Sequence, residues 1–125
     1  IENMDKRKRG GRTADELDEA FETLPDAGLC FDIAHARQVD PTMYESLQIL
    51  RRHGGRIRQI HISELDSSSD HGPVTLGALL AYQGVLGALP PDAPFIFESP
   101  VQNEEDARRA FGVIEQLFRG YDAAS

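Results

Sequence analysis

Four short apolar runs in this 125-residue chain each end in a carboxylate or an imidazole, at nearly regular intervals. Ile1 leads into Glu2, Leu29-Cys30-Phe31 into Asp32, Ile57-Arg58-Gln59-Ile60 into His61, and Phe95-Ile96-Phe97 into Glu98. Glu2 to Asp32 is 30 residues, Asp32 to His61 is 29, and His61 to Glu98 is 37. A strand and its crossover helix together take about 30 residues, so the spacing predicts four consecutive βα units with parallel strands. Strands of that composition are built for burial, so a charged residue at the end of each belongs at the rim, where water or a cation can satisfy it.

The segments between the runs carry helical signals. Thr13-Ala14-Asp15-Glu16 has the form of a capping box, followed by an apolar stripe of Leu17, Ala20, Phe21 and Leu24 that Pro25 closes. Residues 34–39 read as a loop carrying His35 and Arg37, after which Asp40-Pro41 reads as N-cap and first turn of a helix with Met43, Tyr44, Leu47 and Leu50 inward. Gly54-Gly55 ends that helix, and His53 reads as a surface residue in its last turn. Residues 66–73 form a Ser-rich polar loop containing Asp70 and His71. A helix follows from Val74 to Leu89, with Leu76, Leu79, Leu80 and Leu86 as its stripe. Asn103 caps a last helix with Ala107, Ala110, Phe111, Ile114, Leu117 and Phe118 on one face, and residues 121–125 read as a frayed tail.

The fold class expected is therefore α/β, one domain over residues 1–125. A closed (β/α)8 barrel typically needs about 250 residues, so four units amount to half of one. The chain also opens on Ile-Glu-Asn without Met, as if inside a strand, and is expected to be the C-terminal half of a longer barrel. Such a half exposes sheet edges and an apolar inner face, so it calls either for the missing N-terminal half or for self-association.

Composition narrows the partners. The net charge of −8 argues against a dedicated nucleic-acid binder. The one basic cluster, Lys6-Arg7-Lys8-Arg9 with Arg12, reads as a solvated loop, with a phosphate contact at the barrel mouth as the alternative. No apolar run reaches the roughly 20 residues of a membrane span, and no secretory signal opens the chain. The single cysteine, Cys30, has no disulfide partner and reads as a core residue of a cytoplasmic protein.

Parallel strands in a barrel send their C-terminal ends to one face, which brings Glu2, Asp32, His61 and Glu98 together. Three carboxylates in a small space raise one another's pKa unless a cation neutralises them. A divalent ion with mixed oxygen and nitrogen ligands follows, Mn²⁺, Zn²⁺, Co²⁺, Fe²⁺ or Mg²⁺. A long loop at the same face is where such barrels hold substrate, which makes His71 a candidate substrate-binding residue, with Arg37 of the loop after the second strand as another.

The strand ends Ile1-Glu2-Asn3-Met4-Asp5, Phe31-Asp32-Ile33-Ala34-His35, Ile60-His61-Ile62-Ser63-Glu64 and Phe97-Glu98-Ser99-Pro100 resemble those in the second half of the xylose isomerase-like TIM barrels. That superfamily includes sugar and sugar-phosphate isomerases and epimerases, and endonuclease IV-type repair enzymes. The resemblance implies that Glu2, Asp32, His61 and Glu98 ligate one divalent ion. It further implies that Glu2 and Glu98 act as the acid/base pair across a metal-stabilised enediolate of a sugar or sugar phosphate, and that His35 binds a substrate oxygen. In the endonuclease branch His35 instead binds a further zinc, helped by an Asp-x-His. Here Asp70 directly precedes His71, which departs from that pattern. A third reading is a non-catalytic half-barrel that self-associates.

Overall fold

Leu29–Asp32 forms strand β1, Ile57–Ile62 forms β2 and Phe95–Phe97 forms β5 of one parallel sheet in the order β1-β2-β5. The computed structural model describes the backbone of residues 1–124 and the side chains of residues 1–116. Leu117, Phe118 and the side chains of the tail expected over 121–125 lie outside the described residues. Glu2, expected at the end of a full strand, is attached by one parallel bridge to Cys30, reinforced by the Cys30 N–H donating to the Ile1 carbonyl at 2.7 Å. Its neighbours in the sheet therefore run in sequence order: residue 2, β1, β2, β5.

Register fixes what meets at the strand ends. Asp32 pairs with His61 and Cys30 with Gln59, and Ile62 pairs with Phe97, the residue before Glu98. Alternation along the strands puts Cys30 and Asp32 on one face with Gln59 and His61, and turns Phe31, Ile60 and Ile62 to the other. The second face carries the helices. Leu17 and Phe21 of helix α1 (Ala14–Thr23) are buried in one core with Leu29, Phe31, Ile49, Ile60, Tyr82 and Ile114.

Several local readings change in the structure. Residues expected as a loop after β1 form helix α2 (Ile33–Val39), because the Asp32 carboxylate caps it through the His35 N–H at 2.8 Å. Helix α3 (Tyr44–His53) starts four residues after Asp40, whose carboxylate first organises a turn, accepting from Thr42 N–H and hydroxyl and from Glu45 N–H. Met43 takes φ 66° to make that entry; Met43 and Leu50 are buried and Leu47 packs on the core as expected, together with buried Ser46, Ile49 and His53, while Tyr44 is exposed. His53 is thus buried, 2.9 Å from Asp18 and stacked on Phe21, not a surface residue.

The polar loop of residues 66–73 is part of a hairpin of β3 (Glu64–Leu65) and β4 (His71–Gly72), in which Leu65 pairs with His71. Helix α4 spans Leu76–Gln83 alone, with Thr75 as N-cap and a separate 3-10 turn at Leu86–Ala88. Its buried residues are Ala78 and Tyr82, whereas Leu76 and Leu80 are exposed. Helix α5 (Glu104–Ala124) closes the chain, capped by the Asn103 side chain accepting from the Asp106 N–H. Among the described residues no helix is long and apolar enough to cross a membrane.

Candidate metal centre

The ends of the four parallel segments bring Glu2, Asp32, His61 and Glu98 into one cluster, with one ligand atom from each lying within 4.8 Å of all the others. His61 is its hub: Nδ1 is 3.0 Å from Glu98 Oε1, 3.4 Å from Glu2 Oε1 and 4.0 Å from Asp32 Oδ2. The other ring nitrogen, Nε2, is 3.3 Å from the Gln59 carboxamide, so the ring is held with Nδ1 toward the carboxylates. Gln59 is one strand pitch below His61 on the same face, a partner that alternation alone could have suggested.

Asp32 is fully buried, and its two oxygens do different things. Oδ1 caps α2. Oδ2 has no hydrogen-bond partner, and among the described side chains only it and His61 Nδ1 are buried nitrogen or oxygen atoms in that condition. A buried polar atom without a partner is costly, and here two such atoms point at one place. Burial pushes the Asp32 carboxyl up to about 6; the negative charges of Glu2 and Glu98 push the same way, and His35 opposes them. The chemistry of the set, three carboxylates and an imidazole converging on orphaned buried atoms, fits a divalent cation with oxygen and nitrogen ligands.

Asn3 holds this arrangement in place, a role that nothing in the pattern of residues singles out beyond its position after Glu2. It is fully buried, donating from Nδ2 to the Asp32 carbonyl at 2.9 Å and accepting from the Asp32 N–H at 2.7 Å. Its amide thus replaces a missing strand ladder and fixes Glu2 beside β1.

His35 and His71 flank the cluster, their ring centroids 6.0 Å apart. His35 Nδ1 donates to the Asn3 carbonyl at 2.7 Å, and its Nε2 is 3.6 Å from Asp32 Oδ2. His71 sits at the hairpin with Nδ1 2.8 Å from the buried Ser63 hydroxyl and Nε2 3.8 Å from Glu98 Oε2. Ser63 and Tyr82, whose hydroxyl donates to the Ser63 carbonyl at 2.6 Å, form a support that sequence reasoning missed.

Arg37 is placed apart from these residues. Its guanidinium donates to Glu64 Oε1 at 3.0 Å, and Glu64 Oε2 accepts from the Thr75 N–H at 2.7 Å, so Arg37 ties α2 to the hairpin and the start of α4. The basic loop is also engaged: Arg7 pairs with Asp5 and reaches the Ser68 carbonyl, while Arg12 pairs with Glu16.

Cys30 lies half-buried below Asp32 on the same face, and burial pushes its thiol up to about 11. Together with Glu2 and His61 it forms a second group of mutually close ligand atoms.

A family model described as xylose isomerase-like TIM barrel matches residues 1–117. No curated protein matches the chain.

Proposed function

Because this chain belongs to the xylose isomerase-like TIM barrel family, we propose that Glu2, Asp32, His61 and Glu98 hold one divalent ion in a sugar or sugar-phosphate isomerase or epimerase. The observation that carries this reading is the convergence of four strand-end ligands around two buried atoms that make no hydrogen bond, Asp32 Oδ2 and His61 Nδ1. We further propose that the four parallel segments are the C-terminal half of a (β/α)8 barrel, completed by an N-terminal half or a second copy, and that the enzyme works in the cytoplasm.

A divalent ion in this site supplies Lewis acidity that stabilises the negative charge of an enediolate. The residues of the chain do the rest. Glu2 and Glu98 stand on the first and fourth segments of the sheet, with Asp32 and His61 between them, so a substrate over the cluster has one carboxylate on each side. One takes the proton from the carbon beside the carbonyl, and the other returns a proton at the neighbouring carbon or on the opposite face. The imidazole of His35, oriented by its Nδ1–H on the Asn3 carbonyl, holds Nε2 3.6 Å from Asp32 Oδ2, beside the ligand cluster, where it would meet a substrate oxygen. His71 is held by Ser63 in the same way beside Glu98. Arg37 acts in this scheme as a brace for the hairpin that carries His71.

The proximity of His35 to His71 favours a second reading, an endonuclease IV-like phosphodiesterase in which both bind further ions. Their Nδ1 atoms are already engaged by the Asn3 carbonyl and the Ser63 hydroxyl, and the net charge of −8 opposes a DNA substrate.

The half-barrel alone is expected to be inactive, so the test is proton exchange in D₂O by the complete barrel, followed by NMR on a panel of aldoses, ketoses and their phosphates. The reading expects deuterium to enter beside the carbonyl of one class of sugar, to stop on chelation and to return with Mn²⁺ or another divalent ion. Full exchange by metal-free protein overturns the mechanism.

A further inference from the structure

The cluster at the strand ends extends one layer down the inner face of the sheet, and that lower layer has different chemistry. The parallel bridge sets Glu2 level with Cys30, not with Asp32, while Asp32 is level with His61. Glu2 therefore stands beside the thiol and reaches the upper ligands only through its side chain. Cys30 Sγ, a Glu2 carboxylate oxygen and a His61 ring nitrogen lie within 4.8 Å of one another, a ligand set distinct from the four-residue one but sharing two of its members. The thiol is also reachable, since Cys30, Glu2, Gln59 and His61 line an open cavity with Ile1 and Arg58.

The unsatisfied buried atoms stand at the upper level of this column. His61 Nδ1 is buried without a hydrogen-bond partner, and so is Oδ2 of the fully buried Asp32 beside it. His61 belongs to both ligand sets, and the two levels differ in hardness. Carboxylates with one imidazole suit hard ions such as Mg²⁺ and Mn²⁺, whereas a thiolate draws zinc and other thiophilic ions. Three protein ligands including a thiolate, with a remaining position for water, is also a recurrent zinc arrangement.

We propose that Cys30, Glu2 and His61 form a thiolate-containing site that takes Zn²⁺ in competition with a harder ion in the four-residue site. This rests on the reading of Glu2 and His61 as metal ligands. Because those two residues are shared, the sites cannot both be fully ligated, and zinc bound at the lower one draws Glu2 away from its place opposite Glu98. On binding, the Cys30 S–H gives its proton to solvent and the sulfur bonds the ion as thiolate. Gln59, which bonds His61 Nε2, yields that contact if the ring turns toward the lower ion. Thiophilic ions are thus expected to inhibit, and harder ions to support, the proposed reaction.

X-ray absorption at the zinc edge on the full chain with one equivalent of Zn²⁺ tests this directly. The expected result is one sulfur scatterer at about 2.3 Å beside nitrogen and oxygen scatterers at about 2.0–2.2 Å. Cys30→Ser should remove the sulfur shell and weaken Zn²⁺ by at least about tenfold, the lower end of what loss of even an outer partner costs a metal site. Mn²⁺ affinity should be unchanged in that variant. Asp32→Asn should do the reverse, losing Mn²⁺ while keeping the zinc–sulfur shell. Zinc bound through nitrogen and oxygen alone overturns the thiolate site and leaves the four-ligand reading standing. Equal loss of Zn²⁺ and Mn²⁺ in Cys30→Ser also overturns it, and failure of the wild type to bind either ion overturns both.

Discussion

Asp32→Asn separates the cost of the buried carboxylate from its use. The Asp32 carboxyl is raised from 3.8 to about 6, chiefly by burial. Because the folded value is the higher one, the favourable contribution is complete below 3.8 and is lost as pH rises through about 6. Above that, the metal-free fold carries an ionised buried group at a cost of about 3 kcal/mol, from 1.36 kcal/mol per pKa unit. Asparagine keeps the oxygen that caps α2 through the His35 N–H and replaces the orphaned Oδ2 by an amide that can donate to the neighbouring carboxylates. Urea unfolding in EDTA at pH 8 should therefore find Asp32→Asn more stable than wild type by about 2–3 kcal/mol, with the difference vanishing toward pH 4. Adding Mn²⁺ at about a hundred times its dissociation constant should stabilise wild type by about 2.7 kcal/mol and the variant not at all. A variant that is less stable than wild type in EDTA, or equally stabilised by Mn²⁺, refutes the reasoning.

Other outcomes follow from the same geometry. Asn3→Ala strips the Asp32 N–H and carbonyl of their partners in a buried place, and should cost about 2–4 kcal/mol in urea unfolding and weaken Mn²⁺ binding measured by calorimetry. Tyr82→Phe removes the hydroxyl from the Ser63 carbonyl and should lower stability by about 1–2 kcal/mol, with a change in the His71 ring resonances by NMR. Glu98→Gln, on a partly exposed side chain, should leave the unfolding free energy within about 0.5 kcal/mol of wild type while abolishing sugar proton exchange in D₂O by the complete barrel.

The parts of the fold legible in the sequence were those set by hydrophobic period and strand spacing. Strand β2 falls on Ile57–Ile62 as its apolar run predicts, and the 29-to-37-residue rhythm places Asp32, His61 and Glu98 at one end of parallel strands. What the period could not show was competition for backbone hydrogen bonds by polar side chains. Asp32 looked like a strand end or a site residue, and it is both, because one oxygen caps α2 while the other faces the cluster. Asp40 looked like an N-cap, but its carboxylate serves the Thr42 turn first and delays α3 to Tyr44. His53 looked solvated beside two arginines, yet it is buried against Phe21 with Asp18 2.9 Å away, partners that lie on another helix. Leu76 and Leu80 misled for a related reason: the face of α4 that packs on the core carries Ala78, Leu79 and Tyr82, with the Tyr82 hydroxyl reaching the Ser63 carbonyl. Asn3 and Ser63 were invisible as site residues because their partners, the Asp32 backbone and the His71 ring, are distant in sequence.

The central claim is that Glu2, Asp32, His61 and Glu98 hold one divalent ion, and anomalous scattering from crystals soaked in Mn²⁺ tests it most directly. The account predicts a single peak within bonding distance of Asp32 Oδ2 and His61 Nδ1, with both glutamates drawn onto it. Absence of a peak there, or additional peaks between His35 and His71, contradicts it.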